Sequence, residues 1–459
     1  MKKIIPLLII TLLSSVYIPQ ASSIENIMPE NKAKTQKVTP VKNKYEYINL
    51  EWWNGFSDNN LQEYMIKALE NNKDLKIATL NVEEYYQKIA IQRAGELPAI
   101  QAGFMPGYGN FTRNTQESFG FPIIASYELD LFGKNHNKTT AQRKMYEVSI
   151  LDERTAYIAV ASAVGSAYIN IIRLDAMIDL QTKIVDLRKE IFEMMDISNK
   201  EGIVSTSDLA RANESYILGI TDLTELKKQR TQLLNAFAVL IGDSPNNIEE
   251  FKRTDWKDFC YNGILPEEYV SADIIAQRPD YIRAEKMLEK AGIDVKIAKK
   301  EFLPTINLGG LVLFNSDKIG SLFTTSQAAW GLGGGILQNI FAGGKIKANL
   351  KLKKLAYEKS FRNYEKIVLT SMQEVNDTLV AINMDKEKLA KQKEIQKLEE
   401  KDFGLNSLKY DEGVISKLDL NQREENLMNV NKMVYSSNFD CMIDYINYYK
   451  AVGAKFNVL

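Results

Sequence analysis

The chain is predicted to be an α+β membrane protein in which four β-strands sit between very long helices and one structural unit is written twice along the sequence. Three observations carry this expectation. The two halves match each other in register, the segments between helices alternate apolar and polar residues, and the rest reads as helices of about 60 residues, far beyond the usual globular length.

The repeat sets the order of everything else. Asp74, Ala78, Glu83, Pro98 and Gly103 match Asp280, Ala284, Glu289, Pro304 and Gly309 at a shift of 206. Gly133, Lys134, Glu201, Gly202, Asp208, Leu209, Glu214 and Gly242 match Gly344, Lys345, Glu412, Gly413, Asp419, Leu420, Glu425 and Gly453 at a shift of 211. The change of shift places a five-residue insertion between Gly309 and Gly344. Each copy reads as helix, two strands, long helix, turn and long helix, the first over 58–242 and the second over 272–453.

At the start, Lys2 and Lys3, an apolar run over 4–16 and the small residues Ala21-Ser22-Ser23 predict a signal peptide over 1–23, with the mature chain beginning near Ile24. A retained anchor is the alternative, for which the run is short. A segment over 24–57 leads to the first helix, 58–96, stopped by Leu97-Pro98. Its counterpart over 272–302 is stopped by Leu303-Pro304, since proline cannot continue a helix.

Strands are expected over 99–113 and 119–132, and again over 305–316 and 327–341. In 119–132, Phe119, Phe121, Ile123, Ala125, Tyr127, Leu129 and Leu131 share one face, while Ser126, Glu128 and Asp130 lie on the other. That is the pattern of a barrel strand between lipid and a wet lumen, and it makes Ser126, Glu128 and Asp130 the candidate lumen residues. A half-buried strand of a soluble sandwich alternates too, but so few strands among so much helix speak against one. In the second copy Leu311 and Leu313 interrupt the polar face, and Gly331, Gly333, Gly334 and Gly335 suit tight curvature or bulges.

Long helices are expected over 138–200 and 207–241, then 346–410 and 417–452, with 243–271 linking the copies and 454–459 as a tail. A 60-residue helix is roughly 90 Å long and needs partners along its length. Ile184, Leu187, Ile191 and Met194 recur at coiled-coil spacing. The uncharged stretch 155–172 meets the minimum for a membrane span, but its Ala159, Ala161, Ser162, Ala163, Gly165, Ser166 and Ala167 suit close helix packing better.

Strands at membrane depth have to close on themselves, because hydrocarbon cannot satisfy an unpaired edge. Four strands do not close, two copies make a plugged barrel of about 8, and three give about 12 strands around an open lumen. A homotrimer in membrane lipid is therefore the smallest arrangement with a pore. Acidic and basic residues number 59 and 58 and are dispersed, so the basic stripe that nucleic acid demands is not expected. With one histidine, His136, and two cysteines, Cys260 and Cys441, one chain supplies no ordinary metal set, no catalytic triad and no phosphate loop; no enzyme and no cofactor is expected. Spacing leaves open whether Cys260 and Cys441 pair.

Trp52-Trp53 followed by Phe56-Ser57-Asp58, Tyr127-Glu128-Leu129-Asp130-Leu131-Phe132-Gly133-Lys134, and Gln277-Arg278-Pro279-Asp280 with Ala284-Glu285 resemble the TolC family, in its OprM/NodT-like branch of outer-membrane factors that serve RND-type pumps. With the two Leu-Pro stops these motifs cover nearly the whole mature chain in the family's order. The resemblance implies a trimeric 12-stranded outer-membrane β-barrel continuing into a long periplasmic α-helical barrel. It also implies an equatorial belt that takes in 243–271 with Trp256, Cys260 and Tyr261, and two partners, a periplasmic adaptor and an inner-membrane RND-type pump. No cysteine stands at the expected cleavage site, so anchoring falls to the barrel alone.

The same resemblance puts the periplasmic mouth at the two helix-helix turns, with Gly202, Ile203, Gly413 and Val414 as tips for adaptor contact. Asp419 is expected to form an acidic ring, with Asp208, Ser207 and Tyr410 linking the tips closed. Asp208 and Asp419 also suit a plain role as helix-start carboxylates. Ile415 and Gln422 stand where the family's closed-state pattern has an arginine and a second aspartate, which puts the latch in doubt. The expected function is a passive exit duct of a tripartite efflux system. A type I secretion duct of the same fold, or a soluble exported coiled-coil scaffold, are the alternatives.

Overall fold

The computed structural model describes residues 51–56, 58–110, 115–245, 251–263 and 275–453. The signal peptide expected over 1–23, residues 24–50, Ser57, the end of the expected first strand at 111–113, parts of the expected 243–271 linker, residues 272–274 and the expected 454–459 tail lie outside the described residues.

A short helix α1 (Glu51–Asn54) precedes α2 (Asn59–Asn71) and α3 (Lys73–Ala94). The single helix expected over 58–96 is thus two, and the cause is Asn72. Its backbone leaves the helix at φ −55°, ψ 131°, its side-chain oxygen accepts from the Asp74 and Leu75 amides, and its Nδ2 donates to the Leu240 carbonyl at 2.8 Å. One buried amide therefore caps α3 and ties it to the far end of another helix.

Beyond the strands come α4 (Lys134–Lys200) and α5 (Thr206–Leu240), then α6 (Pro279–Lys300), α7 (Lys345–Asp411) and α8 (Lys417–Val452). The helix expected over 272–302 is interrupted: Ile275 and Ala276 are helical, Arg278 is extended, and Pro279 takes the first position of α6. α4 and α7 each run 67 residues, about 100 Å at the helical rise. Their first residues, Lys134 and Lys345, are 211 apart, as are Thr206 and Lys417 at the starts of α5 and α8. Gly133 and Gly344, Gly202 and Gly413, and Gly242 and Gly453, matched in sequence at that same offset, all have left-handed backbones, with φ from 56° to 81°.

The strands form one antiparallel sheet: β1 (Ala99–Ala102) and β2 (Met105–Asn110) lie end to end against β3 (Thr115–Leu129), which pairs with β4 (Thr305–Ser316), which pairs with β5 (Ala328–Leu337). Five segments thus fill four strand positions. The expected first strand is cut at Gly103, which donates to the Pro122 carbonyl at 3.0 Å while Pro122 has no N–H to return. β4 and β5 pair without a break from Thr305↔Leu337 to Phe314↔Ala328, so the glycines of β5 make no bulge there.

The register sorts the side chains. Ile100, Ala102 and Phe104 fall on the face of Phe121, Ile123, Ala125, Tyr127 and Leu129; Ile306, Leu308, Val312 and Phe314 join them, followed by Trp330, Leu332 and Ile336. The opposite face carries Gln101, Ser126, Glu128, Asn307, Asn315 and the glycines 331, 333 and 335, with Ile124, Leu311 and Leu313 among them. One face is apolar across all four positions except at the end far from the helices, where Glu117 and Ser316 fall on it, and the other is mixed. The outer edges of β1, β2 and β5 have no strand partner among the described residues.

α4 is the organising helix, packing against α2, α3, α5, α6 and α8. Its uncharged stretch lies inside the chain: Tyr157, Val164, Tyr168, Ile169 and Ile172 are buried with Trp52, Phe56, Phe237, Phe259 and Ile446. Gly165 explains the small residues there, since a Cβ would come within 2.6 Å of the Trp52 ring. Close packing, not a membrane span, accounts for this stretch. Cys441 is buried in α8 and Cys260 is exposed; both are free thiols.

Candidate functional site: helix tips, interhelical seam and strand face

At each tip a long helix ends in the same way. The Gly202 and Ile203 amides donate to Asn199 and Ser198 carbonyls, and those of Gly413 and Val414 to Tyr410 and Lys409. Both turns are Schellman motifs, in which a left-handed glycine lets two amides fold back onto the last turn. The chain then re-enters a helix through a serine cap. Ser205 accepts from the Asp208 amide at 3.1 Å and donates its hydroxyl to the Asp208 carboxylate at 2.6 Å. Ser416 does the same with Asp419, at 3.1 and 2.7 Å, and its own amide also donates to that carboxylate at 3.2 Å, completing a capping box.

These bonds stay within each turn of the one chain. No hydrogen bond joins Asp208, Ser207 and Tyr410 among the described residues, because the capping serine in the same turn is the nearer partner of the aspartate. Arg211 also reaches Asp208, at 3.4 Å. The Tyr410 ring instead has the Lys417 ammonium 5.9 Å from its centroid, and Ser207 and Gln422 are exposed. Both serines are legible in the sequence as Ser-x-x-Asp, at 205–208 and 416–419. Asp419 is exposed, and hydrogen bonds from the Ser416 side chain and backbone, helped by Arg423, hold its carboxyl below the usual carboxylate range. The outermost apolar residues are Ile203, 78% exposed, and Val414, 67% exposed.

Above the tips, α4 and α8 are joined by a polar seam with no local signature in the sequence. Arg173 binds Asp440 at 2.8 Å, Lys432 binds Gln181 at 2.7 Å, Arg188 binds Glu425 at 2.7 Å, and Asn421 binds Glu190 at 2.9 Å, with Lys417 3.8 Å from the same Glu190. The seam fastens the two hairpins, α4–α5 and α7–α8, to each other.

At the other end of α4, Ser126 and Glu128 lie together on the mixed face of the sheet, as expected. Asp130 does not: β3 ends at Leu129, and the Asp130 carboxylate accepts the His136 amide at 2.8 Å, capping α4. Glu128 is bridged by Lys134 at 2.8 Å.

The sequence profile of the family described as outer membrane efflux protein matches residues 65–243 and 270–440. The probable efflux pump outer membrane protein TtgC of Pseudomonas putida is 27% identical over 415 residues, covering 88% of this chain and 84% of that protein. The cation efflux system protein CusC of Escherichia coli K12 is 26% identical over 411 residues, 89% of each. Among solved structures, the Campylobacter jejuni CmeC outer membrane channel superposes with a TM-score of 0.80 at 24% identity, over 88% of both chains. The Neisseria gonorrhoeae MtrE outer membrane channel, solved in its open state, does so with a TM-score of 0.78 at 26% identity, over 89% of this chain and 92% of that one.

Proposed function

The chain belongs to the outer membrane efflux protein family, and from that premise we propose that three copies close into a 12-stranded outer-membrane barrel continued by a periplasmic helical barrel, the exit duct of a tripartite efflux system. The observation that carries this reading is the sheet: four strand positions, one face apolar except at the end far from the helices, where Glu117 and Ser316 fall, and both edges without a strand partner among the described residues. In lipid the apolar face looks outward and the open edges of neighbouring copies satisfy each other. The mixed face then lines the lumen, with Gln101, Ser126, Glu128 and Asn307 wetting it and the glycines 331, 333 and 335 of β5 keeping it clear.

The helices support the same count. α4 is flanked on both sides within its chain, by α3 and α6 near the strands and by α5 and α8 toward the tips, while α7 packs against α6 and α8. Leu352, Leu355 and Leu369 of α7 and Ile77, Leu80 and Ile91 of α3 are each more than half exposed, which suits contact with the next copy. The matched offsets of α4 and α7, and of α5 and α8, support an internal two-fold repeat, so that a ring of three chains is a near-sixfold ring of units.

The duct itself does no chemistry. It gives a solute a water-filled path, and an inner-membrane pump of the RND type supplies the work through a periplasmic adaptor that binds the tips, where Gly202, Ile203, Gly413 and Val414 are presented. Three copies of Asp419 bring three exposed carboxylates to the aperture and favour cations there. The link holding the tips closed is then carried by the α4–α8 seam more than by Asp208, Ser207, Tyr410 or Gln422. Purified protein reconstituted in planar bilayers is expected to conduct ions, and the outer-membrane fraction to yield heat-modifiable trimers. A monomeric protein that stays in the soluble periplasmic fraction would be the coiled-coil scaffold instead.

A further inference from the structure

The near-neutral charge of the chain hides a local imbalance. Between Ile340 and Tyr357 there are five lysines, Lys345, Lys347, Lys351, Lys353 and Lys354, and no acidic residue. They occupy the first turns of α7, where the helix dipole disfavours cations and the first turn itself holds no acidic residue. Lys353 is 3.9 Å from Asp294, but Lys347, Lys351 and Lys354 make no ion pair with any described residue. Together with Gly344, Ala348 and Leu350 these three line a shallow groove of about 470 Å³.

The repeat says where this stripe points in the assembled protein. At the offset of 211, Lys347, Lys351 and Lys354 correspond to His136, Thr140 and Arg143. Those three positions of α4 remain exposed or partly exposed although α4 is flanked on both sides. Lys134 marks the lumen side, since it bridges Glu128 of the mixed strand face at 2.8 Å. At 3.6 residues per turn, His136, Thr140 and Arg143 lie about 180–240° around the helix from it. Lys347, Lys351 and Lys354 therefore face outward, directly below a strand whose apolar face looks to lipid. Just before them, Ile340 and Phe341 are 95% and 90% exposed, an apolar pair at the boundary.

Resting on the barrel reading above, we propose that Lys347, Lys351 and Lys354 form a binding site for anionic phospholipid headgroups of the periplasmic leaflet, with Ile340 and Phe341 dipping into the acyl boundary beside them. The phosphates supply the negative charge that the start of α7 otherwise has to do without, and three copies make a basic collar around the duct at the membrane surface.

The test uses the full-length protein in phosphatidylcholine vesicles carrying spin-labelled phosphatidylglycerol or spin-labelled phosphatidylcholine. Wild type is expected to immobilise the anionic label preferentially, by about fivefold per lysine engaged at low salt, and to lose the preference as salt rises. The variant K347Q/K351Q/K354Q is expected to lose it at low salt too, while a control, K391Q/K393Q/K397Q in the middle of α7, keeps it. Equal immobilisation of both labels by wild type, or a preference that survives the first variant, overturns the proposal. Loss of adaptor co-purification with lipid preference intact would assign the stripe to a protein partner and overturn it as well. Single-channel conductance, measured in parallel, separates the two levels: a pore that conducts without lipid preference sinks only this site, whereas no pore at all sinks the barrel.

Discussion

Arg188 of α4 grips Glu425 of α8 through both Nε, at 3.0 Å, and Nη2, at 2.7 Å, while its Nη1 donates to the Ser215 carbonyl of α5 at 3.0 Å. One guanidinium thus holds three helices, and both charged side chains are about four-fifths buried. Removing either partner leaves the other with a poorly solvated charge. Arg188→Ala and Glu425→Ala are each expected to cost about 1–3 kcal/mol, lowering the midpoint of the helical circular-dichroism melt. The double variant is expected to cost less than the sum of the two. Strict additivity would mean that the pair is not coupled.

Asp419 caps α8, and the ring proposed for it at the aperture is separable from that cap. Ser416→Ala removes the hydroxyl that accepts the Asp419 amide and is expected to cost about 1 kcal/mol of stability while leaving cation preference intact. Asp419→Asn keeps a capping oxygen but loses the charge, so cation preference should fall with little change in melting. Because hydrogen bonds to Ser416 hold the Asp419 carboxyl below its ordinary value of 3.8, wild-type selectivity should persist on acidification past that value before it fades. Stability from this contact has the same sign, present above the unfolded pKa and lost as pH falls through the folded one. Reversal-potential measurements on both variants check the division of roles.

Asp444 of α8 works in the other direction. Burial first, and then Asp385 opposite it and Asp440 beside it, raise its pKa from the ordinary 3.8 to about 7, against the lowering effect of Lys388. The folded state therefore binds more protons than the unfolded chain between about pH 4 and 7, and stability falls as pH rises through that window. Asp444→Asn is expected to flatten this slope and to raise the melting temperature at pH 8 relative to wild type. A variant that melts lower than wild type at pH 8 would show that the ionised carboxylate is stabilising there.

Gly165 is a packing prediction. Its missing Cβ leaves room for the Trp52 ring, and a Cβ would also meet Ile446 at 3.0 Å. Gly165→Val is expected to cost about 1–3 kcal/mol or more by overpacking, seen as a lower melting midpoint and a loss of near-ultraviolet tryptophan signal.

What the sequence made legible was what is local or periodic. The β4 span, the α8 span and the 67-residue pair α4 and α7 follow from proline stops, turn glycines and apolar spacing, because each of those signals acts within a few residues. Two elements were misjudged where one side chain serves two places. Asn72 breaks the first helix because a distant carbonyl, Leu240, holds its amide; Asp130 leaves the mixed face of the sheet because the next helix takes up its carboxylate. At the tips, Ser205 and Ser416 bond the carboxylates of Asp208 and Asp419 within each chain, a local contact that the Ser-x-x-Asp spacing makes legible. The Arg188–Glu425 seam spans 237 residues of sequence, and nothing near either residue marks it.

That seam makes its own forecast once the repeat is applied to it. The positions equivalent to Arg188 and Glu425 at the 211 offset are Glu399 of α7 and Glu214 of α5, and neither forms an ion pair with a described residue. In the proposed ring of three copies, the repeat would bring α7 of one chain against α5 of the next as α4 packs against α8 within a chain. The seam within each chain is clasped by an arginine, whereas the proposed seam between chains would face one glutamate with another, a pairing that would repel and favour separation of the tips there. Glu399→Arg is expected to clasp the second seam, lowering open-channel conductance and slowing opening by adaptor, and Glu214→Ala in the same chain should undo most of the effect. Conductance unchanged by Glu399→Arg would place the moving boundary somewhere other than between α7 and its neighbour.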